Sequence, residues 1–271
     1  MNSCCAQLGR IRCGPIFVVS DLHIGVGGPR DNFAYGGREK QFYQFLDYVD
    51  REDGVLIIAG DLLELWQNNV SEVIVKARGL FDTLSRMGAV YVLGNHDADL
   101  LYFASSKWLL HCFFDSMCQS MRLNIAGKRI LIVHGHQADP YCASSVPGIG
   151  RITAIYSGLK EDRHGGPMLN KYRTVENRAI GWMDWLVDVW HKVTGKPDRY
   201  RLMNHALLEM APDVIISGHT HRPGHIGTRL YNTGTWAETT NSFVRVDVDG
   251  TIQVFDWVDG KPVPNFTELS E

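Results

Sequence analysis

Five short segments of this chain carry side chains of the types that can bind divalent metals. They are Ser20-Asp21-Leu22-His23, Gly60-Asp61, Gly94-Asn95-His96-Asp97, Val133-His134-Gly135-His136 and Gly218-His219-Thr220-His221. Each stands just after an apolar run. The donors are carboxylate, imidazole and amide, with no thiolate among them, a set suited to hard or borderline divalent ions. Two donors spaced i and i+2 on a turning segment can reach one ion or two neighbouring ions. A glycine beside a donor lets the backbone turn tightly and approach closely. Taken singly, each segment is ordinary. Gly-Asn-His-Asp is a good turn sequence without any chemistry, and Gly-His-Thr-His reads as an exposed loop. Five such segments, each at the end of an apolar run, imply a common site.

The elements that must position them are legible as periodicity. Ile16-Phe17-Val18-Val19 is a short β-branched run that reads as a buried strand. Helical spacing of Phe42, Phe45, Leu46 and Val49 predicts a helix over 38–51. Val55-Leu56-Ile57-Ile58-Ala59 is a second strand, 71–87 a helix stopped by Gly88, and Val90-Tyr91-Val92-Leu93 a third strand. A hairpin over 123–133 turns at Ala126-Gly127; another strand is Val214-Ile215-Ile216-Ser217; Asp249-Gly250 joins a hairpin of 243–248 and 251–257. Strand–helix alternation in the first half gives an α/β core, and the hairpins make the sheets mixed. Ligands in such sheets bind in the crevice at the strand ends. Residues 143–210 break the pattern with helical spacing, no clear strand and a net positive charge, so they are expected to form a helical cap inserted in a single domain spanning 1–271.

With 271 residues, 45% apolar and 21% charged, the chain suits one folded domain with a sizeable core. A net charge of -3 and the lack of a long basic stripe argue against nucleic acid as partner. No run of about 18 apolar residues occurs, and the N-terminus lacks an apolar signal; the expected location is cytoplasmic, with peripheral membrane contact compatible with it. Cys4, Cys5, Cys13, Cys112, Cys118 and Cys142 have no CxxC spacing and read as free thiols.

The ordered set Asp21-x-His23, Gly60-Asp61, Gly94-Asn95-His96-Asp97, His134 and Gly218-His219-Thr220-His221 resembles the calcineurin-like metallophosphoesterase superfamily. The resemblance covers nearly the whole chain. It implies two facing mixed β-sheets flanked by helices. It also implies two divalent ions, Mn2+ foremost with Fe, Zn or Mg as alternatives. By resemblance, Asp21, His23, Asp61 and His221 hold one ion. Asp61, Asn95, His134 and His219 hold the other, so that Asp61 bridges. Such a pair, about 3.5–4 Å apart, can acidify a water for in-line attack on phosphorus. His96 is then the residue that stabilises the transition state or protonates the leaving oxygen. Asp97 is expected either to orient His96 or to serve the turn, and Glu64 either to support the site or to be an exposed carboxylate. His136 is a cleft residue without an assigned task.

Gly60-Asp61-Leu62-Leu63-Glu64-Leu65-Trp66, Gly218-His219-Thr220-His221-Arg222-Pro223 and Tyr231-Asn232-Thr233-Gly234-Thr235-Trp236 look like runs in UDP-diacylglucosamine pyrophosphohydrolases of lipid A synthesis. Those enzymes carry Arg at the place of His96 and Asp at that of His136. The expectation is hydrolysis of a phosphodiester or pyrophosphate bond, in a nucleotide-linked lipid or in a small soluble phosphoester or cyclic nucleotide. A metal-bound scaffold without activity is the alternative from another class. In the cap, Trp182, Trp185 and Val189 share one helix face. Ile155, Tyr156 and Leu159 lie on an earlier helix, and Arg173 and Arg178 are candidates to hold a substrate phosphate.

Overall fold

A computed structural model describes residues 14–28, 31–34, 37–100, 117–139, 199–238 and 240–270. The sequence-predicted helical cap lies outside these residues except for its last part, and so do Arg173, Arg178, Trp182, Trp185 and Val189.

Two sheets hold the fold. In chain order the strands are β1 (Ile16–Val19), β2 (Val55–Ala59), β3 (Val90–Val92), β4 (Met117–Cys118), β5 (Met121–Ile125), β6 (Lys128–Ile132), β7 (Val214–Ser217), β8 (Gly224–Ile226), β9 (Leu230–Asn232), β10 (Ser242–Val246), β11 (Ile252–Val258) and β12 (Lys261–Asn265). The first sheet runs β12-β11-β10-β1-β2-β3-β4 and the second β5-β6-β7-β9-β8. β1 to β4 are parallel neighbours, as are β6, β7 and β9, while the hairpins supply antiparallel edges. Both sheets are mixed, as expected.

Alternation along the strands decides what each face meets. On β1, Phe17 and Val19 join a core with Phe42, Phe45, Leu46 and Val49 of helix α1 (Arg38–Arg51) and Val73, Leu80, Phe81 and Leu84 of helix α2 (Val70–Met87). Ile16 and Val18 point the other way, into a second core that includes Ile130 and Ile132 of β6 and Val214 and Ile216 of β7. The two sheets therefore face one another through β-branched side chains. The outer face of the second sheet, Leu131, Ile215 and Leu230, packs on Leu207 of helix α3 (Arg199–Met210). α3 is the described end of the predicted cap.

Tight ends hold the helices in place. Asn69 caps α2 by accepting from Ser71 N at 2.9 Å, and Gly88 stops it in a left-handed conformation, φ 68°. α1 buries Phe42 and Phe45 against Trp236, whose ring centroid lies 4.9 and 5.1 Å away. Trp236 follows Thr235 in the run that supports the strand ends described next.

Candidate metal centre

All five segments leave the carboxyl ends of parallel strands: Asp21 after β1, Asp61 after β2, Asn95 and His96 after β3, His134 after β6, and His219 and His221 after β7. The loops are laced together. Asp21 N donates to Gly60 O (3.1 Å), His23 N to Asp61 O (3.0 Å), Gly218 N to His134 O (2.8 Å), and His96 N to Asp61 Oδ1 (2.8 Å). The segment from Asn232 to Trp236 backs them. Asn232 Nδ2 donates to Gly218 O at 2.9 Å, and both Thr235 Oγ1 and Trp236 N donate to Asp21 O, at 2.9 and 3.1 Å.

Close approach explains two of the glycines. A Cβ on Gly60, which has φ 96°, would overlap the His134 ring, and one on Gly94 would overlap the Asp61 carboxylate. Strain is concentrated here as well. Of the eight non-glycine residues with left-handed backbone among those described, five are Asp21, His23, Asp61, His219 and His221. Such conformations cost about 1–3 kcal/mol each and persist where surrounding contacts over-determine them.

Asp21, His23 and His221 each present a donor atom within 4.8 Å of the others, and so do Asp61, His134 and His219. His221 Nε2 lies 3.1 Å from Asp21 Oδ1 and 3.4 Å from His23 Nε2. His134 Nε2 lies 3.1 Å from Asp61 Oδ2 and 3.1 Å from Asn95 Oδ1. Asp21 Oδ1 is buried without a well-formed hydrogen bond, as expected of an oxygen whose partner is a cation. The residues fit divalent metal ions.

What lies behind the imidazoles is equally informative. His134 Nδ1 donates to Ala59 O at 2.9 Å; His23 Nδ1 faces Glu64 Oε2 at 3.1 Å; His221 Nδ1 faces Glu238 Oε1 at 2.6 Å; His219 Nε2 faces Asp139 Oδ2 at 2.9 Å. Each ring thus has one nitrogen tied to an oxygen, the pattern that orients metal-binding histidines. Glu64 is the buried support, not the exposed carboxylate. The roles of Asp139 and Glu238 were not read from the sequence, because their partners lie 80 and 17 residues away and no local spacing announces them.

Charge follows the same geometry. Burial alone would raise the Asp21 and Asp61 carboxyls, but the surrounding histidines, His221 and His134 for Asp21 and His134 and His96 for Asp61, hold both well below the usual range. Burial opposes protonation of His134 and His221, yet Asp61 and Asp21 raise His134 to about 9, and Asp21 and Glu238 raise His221 to about 10. Glu64, raised by burial, is brought down to about 2 by its bonds to His23 and His96.

His96 packs flat on Trp66, ring centroids 3.9 Å apart, with Nδ1 2.7 Å from Glu64 Oε2. Glu64 is thus the carboxylate beside the His96 ring, and Asp97 makes the contacts of its alternative reading, as a turn residue. Asp97 is fully buried and accepts from Gly94 N (2.6 Å), Leu62 N (2.8 Å) and Tyr91 OH, so it ties the turn after β3 to the one after β2. Burial and Asp61 push its carboxyl up to about 6. His136 lies beside His134, with centroids 5.4 Å apart; burial and the His134 charge lower it to about 3, so it is neutral. His205 is exposed next to Glu209, and His225 Nδ1 meets Gly227 O at 3.2 Å, both away from the crevice. His111, His164 and His191 lie outside the described residues.

A family model described as calcineurin-like phosphoesterase matches residues 14–223. The chain belongs to that family and is a phosphoesterase, a hydrolase for which the family implies divalent metal ions. Among curated proteins it is similar to the UDP-2,3-diacylglucosamine hydrolase of Psychromonas ingrahamii, 24% identical over 253 residues, covering 85% of this chain and 93% of that protein. It is also similar to the one of Hahella chejuensis, 23% identical over 262 residues, covering 87% and 95%. Among solved structures it is similar to zinc-bound Vps29 of Entamoeba histolytica, with 14% identity, 93% and 97% coverage and a TM-score of 0.43.

Proposed function

We propose that this chain hydrolyses a phosphodiester or pyrophosphate bond with two divalent ions, and that its substrate is a nucleotide-linked acylated sugar of the UDP-2,3-diacylglucosamine kind. The observation that carries the reaction is the convergence of Asp21, His23, Asp61, His134, His219 and His221 from separate strand ends, with the second nitrogen of each of the four histidines tied to an oxygen. Asp21, His23, Asp61 and His221 would hold one ion and Asp61, Asn95, His134 and His219 the other; Mn2+ suits this mixed oxygen and imidazole set. When bound, the ions supply Lewis acidity and neutralise charge on the phosphoryl oxygens.

The remaining work falls to the protein. His96 is held by Trp66 and Glu64, which leaves Nε2 to donate to the leaving oxygen or to a phosphoryl oxygen. Asp97 acts as a positioning residue, by fixing the turn that carries Asn95 and His96. The substrate class is supported by the names of the two curated relatives, which span nearly the same length as this chain. Arg173 and Arg178 are proposed to hold the substrate phosphates by bidentate hydrogen bonds.

The test compares UDP-2,3-diacylglucosamine, bis(p-nitrophenyl) phosphate and a phosphomonoester with purified protein and Mn2+. Cleavage of the pyrophosphate with release of UMP, at the highest kcat/KM of the three, is expected. Turnover of the small diester alone would overturn the substrate assignment. Metal binding without turnover of any of them would favour a scaffold.

A further inference from the structure

The carboxylate of Asp139 is fully buried and serves two partners at once. Its Oδ2 accepts from His219 Nε2 at 2.9 Å. The guanidinium of Arg199 grips both of its oxygens, Nε to Oδ1 at 3.1 Å and the second nitrogen to Oδ2. Asp139 ends the short 3-10 turn His136–Ala138 that follows β6, and Arg199 is the first residue of α3. The next residue on that helix, Tyr200, lies under the guanidinium of Arg222, 3.8 Å from ring centroid to Cζ, and Arg222 directly follows His221. The first turn of α3 is thus fastened to both sides of the Gly218-His219-Thr220-His221 loop.

From this geometry we infer that Asp139 is the positioning residue of the metal subsite containing His219, and that Arg199 holds Asp139 in place for that task. A carboxylate can only accept, so the Nε2 it faces carries the hydrogen and the lone pair of His219 is left on Nδ1. His219 differs in this from its neighbours. His23, His134 and His221 are tied through Nδ1 and present Nε2 to the crevice. Losing the Asp139 bond would free the ring to turn over and offer the wrong nitrogen. The pairing with Arg199 keeps the carboxylate aligned, since a bidentate guanidinium fixes its plane. A consequence is selectivity. Asp139 faces His219 and not His23 or His221, so its loss should weaken one ion of the pair more than the other.

The inference rests on the two-ion reading above, and the experiment separates the two. Metal-free wild type, Asp139→Asn, Asp139→Ala, Arg199→Lys and Arg199→Ala are titrated with Mn2+, reading bound equivalents and affinities by calorimetry. Circular dichroism checks that each is folded. Wild type should take two ions. In Asp139→Ala one of the two resolved affinities should fall about 10–100-fold, the usual effect of removing such a partner, with the other ion little changed. Asp139→Asn should fall less, because its amide oxygen still accepts, and Arg199→Lys should retain more affinity than Arg199→Ala. Folded Asp139→Ala and Arg199→Ala proteins with wild-type affinity for both ions, or with equal losses at both, would overturn the inference. Should Asp139→Ala fail to fold, the Arg199 pair of variants decides it. A wild type that binds no second ion would instead overturn the two-ion reading.

Discussion

Asp61 lies between the histidines of both clusters: it accepts from His96 N, lies 3.1 Å from His134 Nε2 and 3.9 Å from His23 Nε2. Asp61→Ala is therefore expected to abolish activity and to lower bound metal, measured by elemental analysis beside turnover; full metal content would contradict the bridging role. His96 lies in the crevice yet is tied to Glu64 and Trp66, so His96→Ala should lower kcat by about 10²–10⁴ with both ions retained. Loss of the ions in that variant would make His96 a ligand instead. Proton linkage gives a further check. In the metal-free protein His134 and His221 are raised, to about 9 and about 10, above the ordinary value of 6.5. The stability they contribute as cations is fully present below pH 6.5 and is lost as pH rises through those raised values. His23 is likewise held well above the ordinary value, against its burial, by Asp21 and Glu64. At pH 7 an incoming ion pair must displace the protons of all these rings, so Mn2+ binding should release about three protons and tighten as pH rises from 6 to 8. Calorimetry in buffers of different ionisation enthalpy measures this, and binding without proton release would contradict it. The candidate donors were readable in the sequence because each sits within two residues of a glycine or another donor. Asp139 and Glu238 were not assigned there, and Glu64 was left between supporting the site and an exposed carboxylate, since a carboxylate that meets its histidine only through the fold leaves no mark in spacing.

Strands and helices were readable where burial imposes a period. β1, β2, β7 and α1 stand at their expected residues, and α2 begins one residue early. β12 escaped because Lys261-Pro262-Val263-Pro264-Asn265 does not look like a strand; prolines are tolerated there since β12 is, among the described residues, an edge strand paired only to β11. β4, with two residues, and β8 and β9, with three each, are too short to show a period. Element ends matter more than their lengths, because they place the donors. Gly60→Ala should lower the melting temperature and disturb metal binding together, as a Cβ at φ 96° is strained and overlaps His134. Asn69→Ala, which removes only the cap of α2, should cost about 1 kcal/mol and leave metal affinity unchanged. A thermal melt with and without Mn2+ distinguishes them, and equal responses of the two variants would speak against a strained, ligand-bearing turn at Gly60.

The described residues build two sheets that face each other through a shared core, with the carboxyl ends of β1, β2, β3, β6 and β7 bringing their loops to the same crevice. That arrangement turns five dispersed sequence segments into one centre, and among the described residues no helix is long and apolar enough to cross a membrane. At this scale Arg173 and Arg178 give the prediction for substrate size: charge reversal at either should raise KM for UDP-2,3-diacylglucosamine and spare bis(p-nitrophenyl) phosphate, and equal effects in steady-state kinetics on the two would contradict it. The central claim, hydrolysis at a pair of divalent ions, is tested most directly by one titration. Metal-free protein receives Mn2+ in steps while hydrolysis of bis(p-nitrophenyl) phosphate is followed. The rate should be negligible without metal and reach its plateau at two equivalents per chain. A plateau at one equivalent, or hydrolysis that ignores the metal, would contradict it.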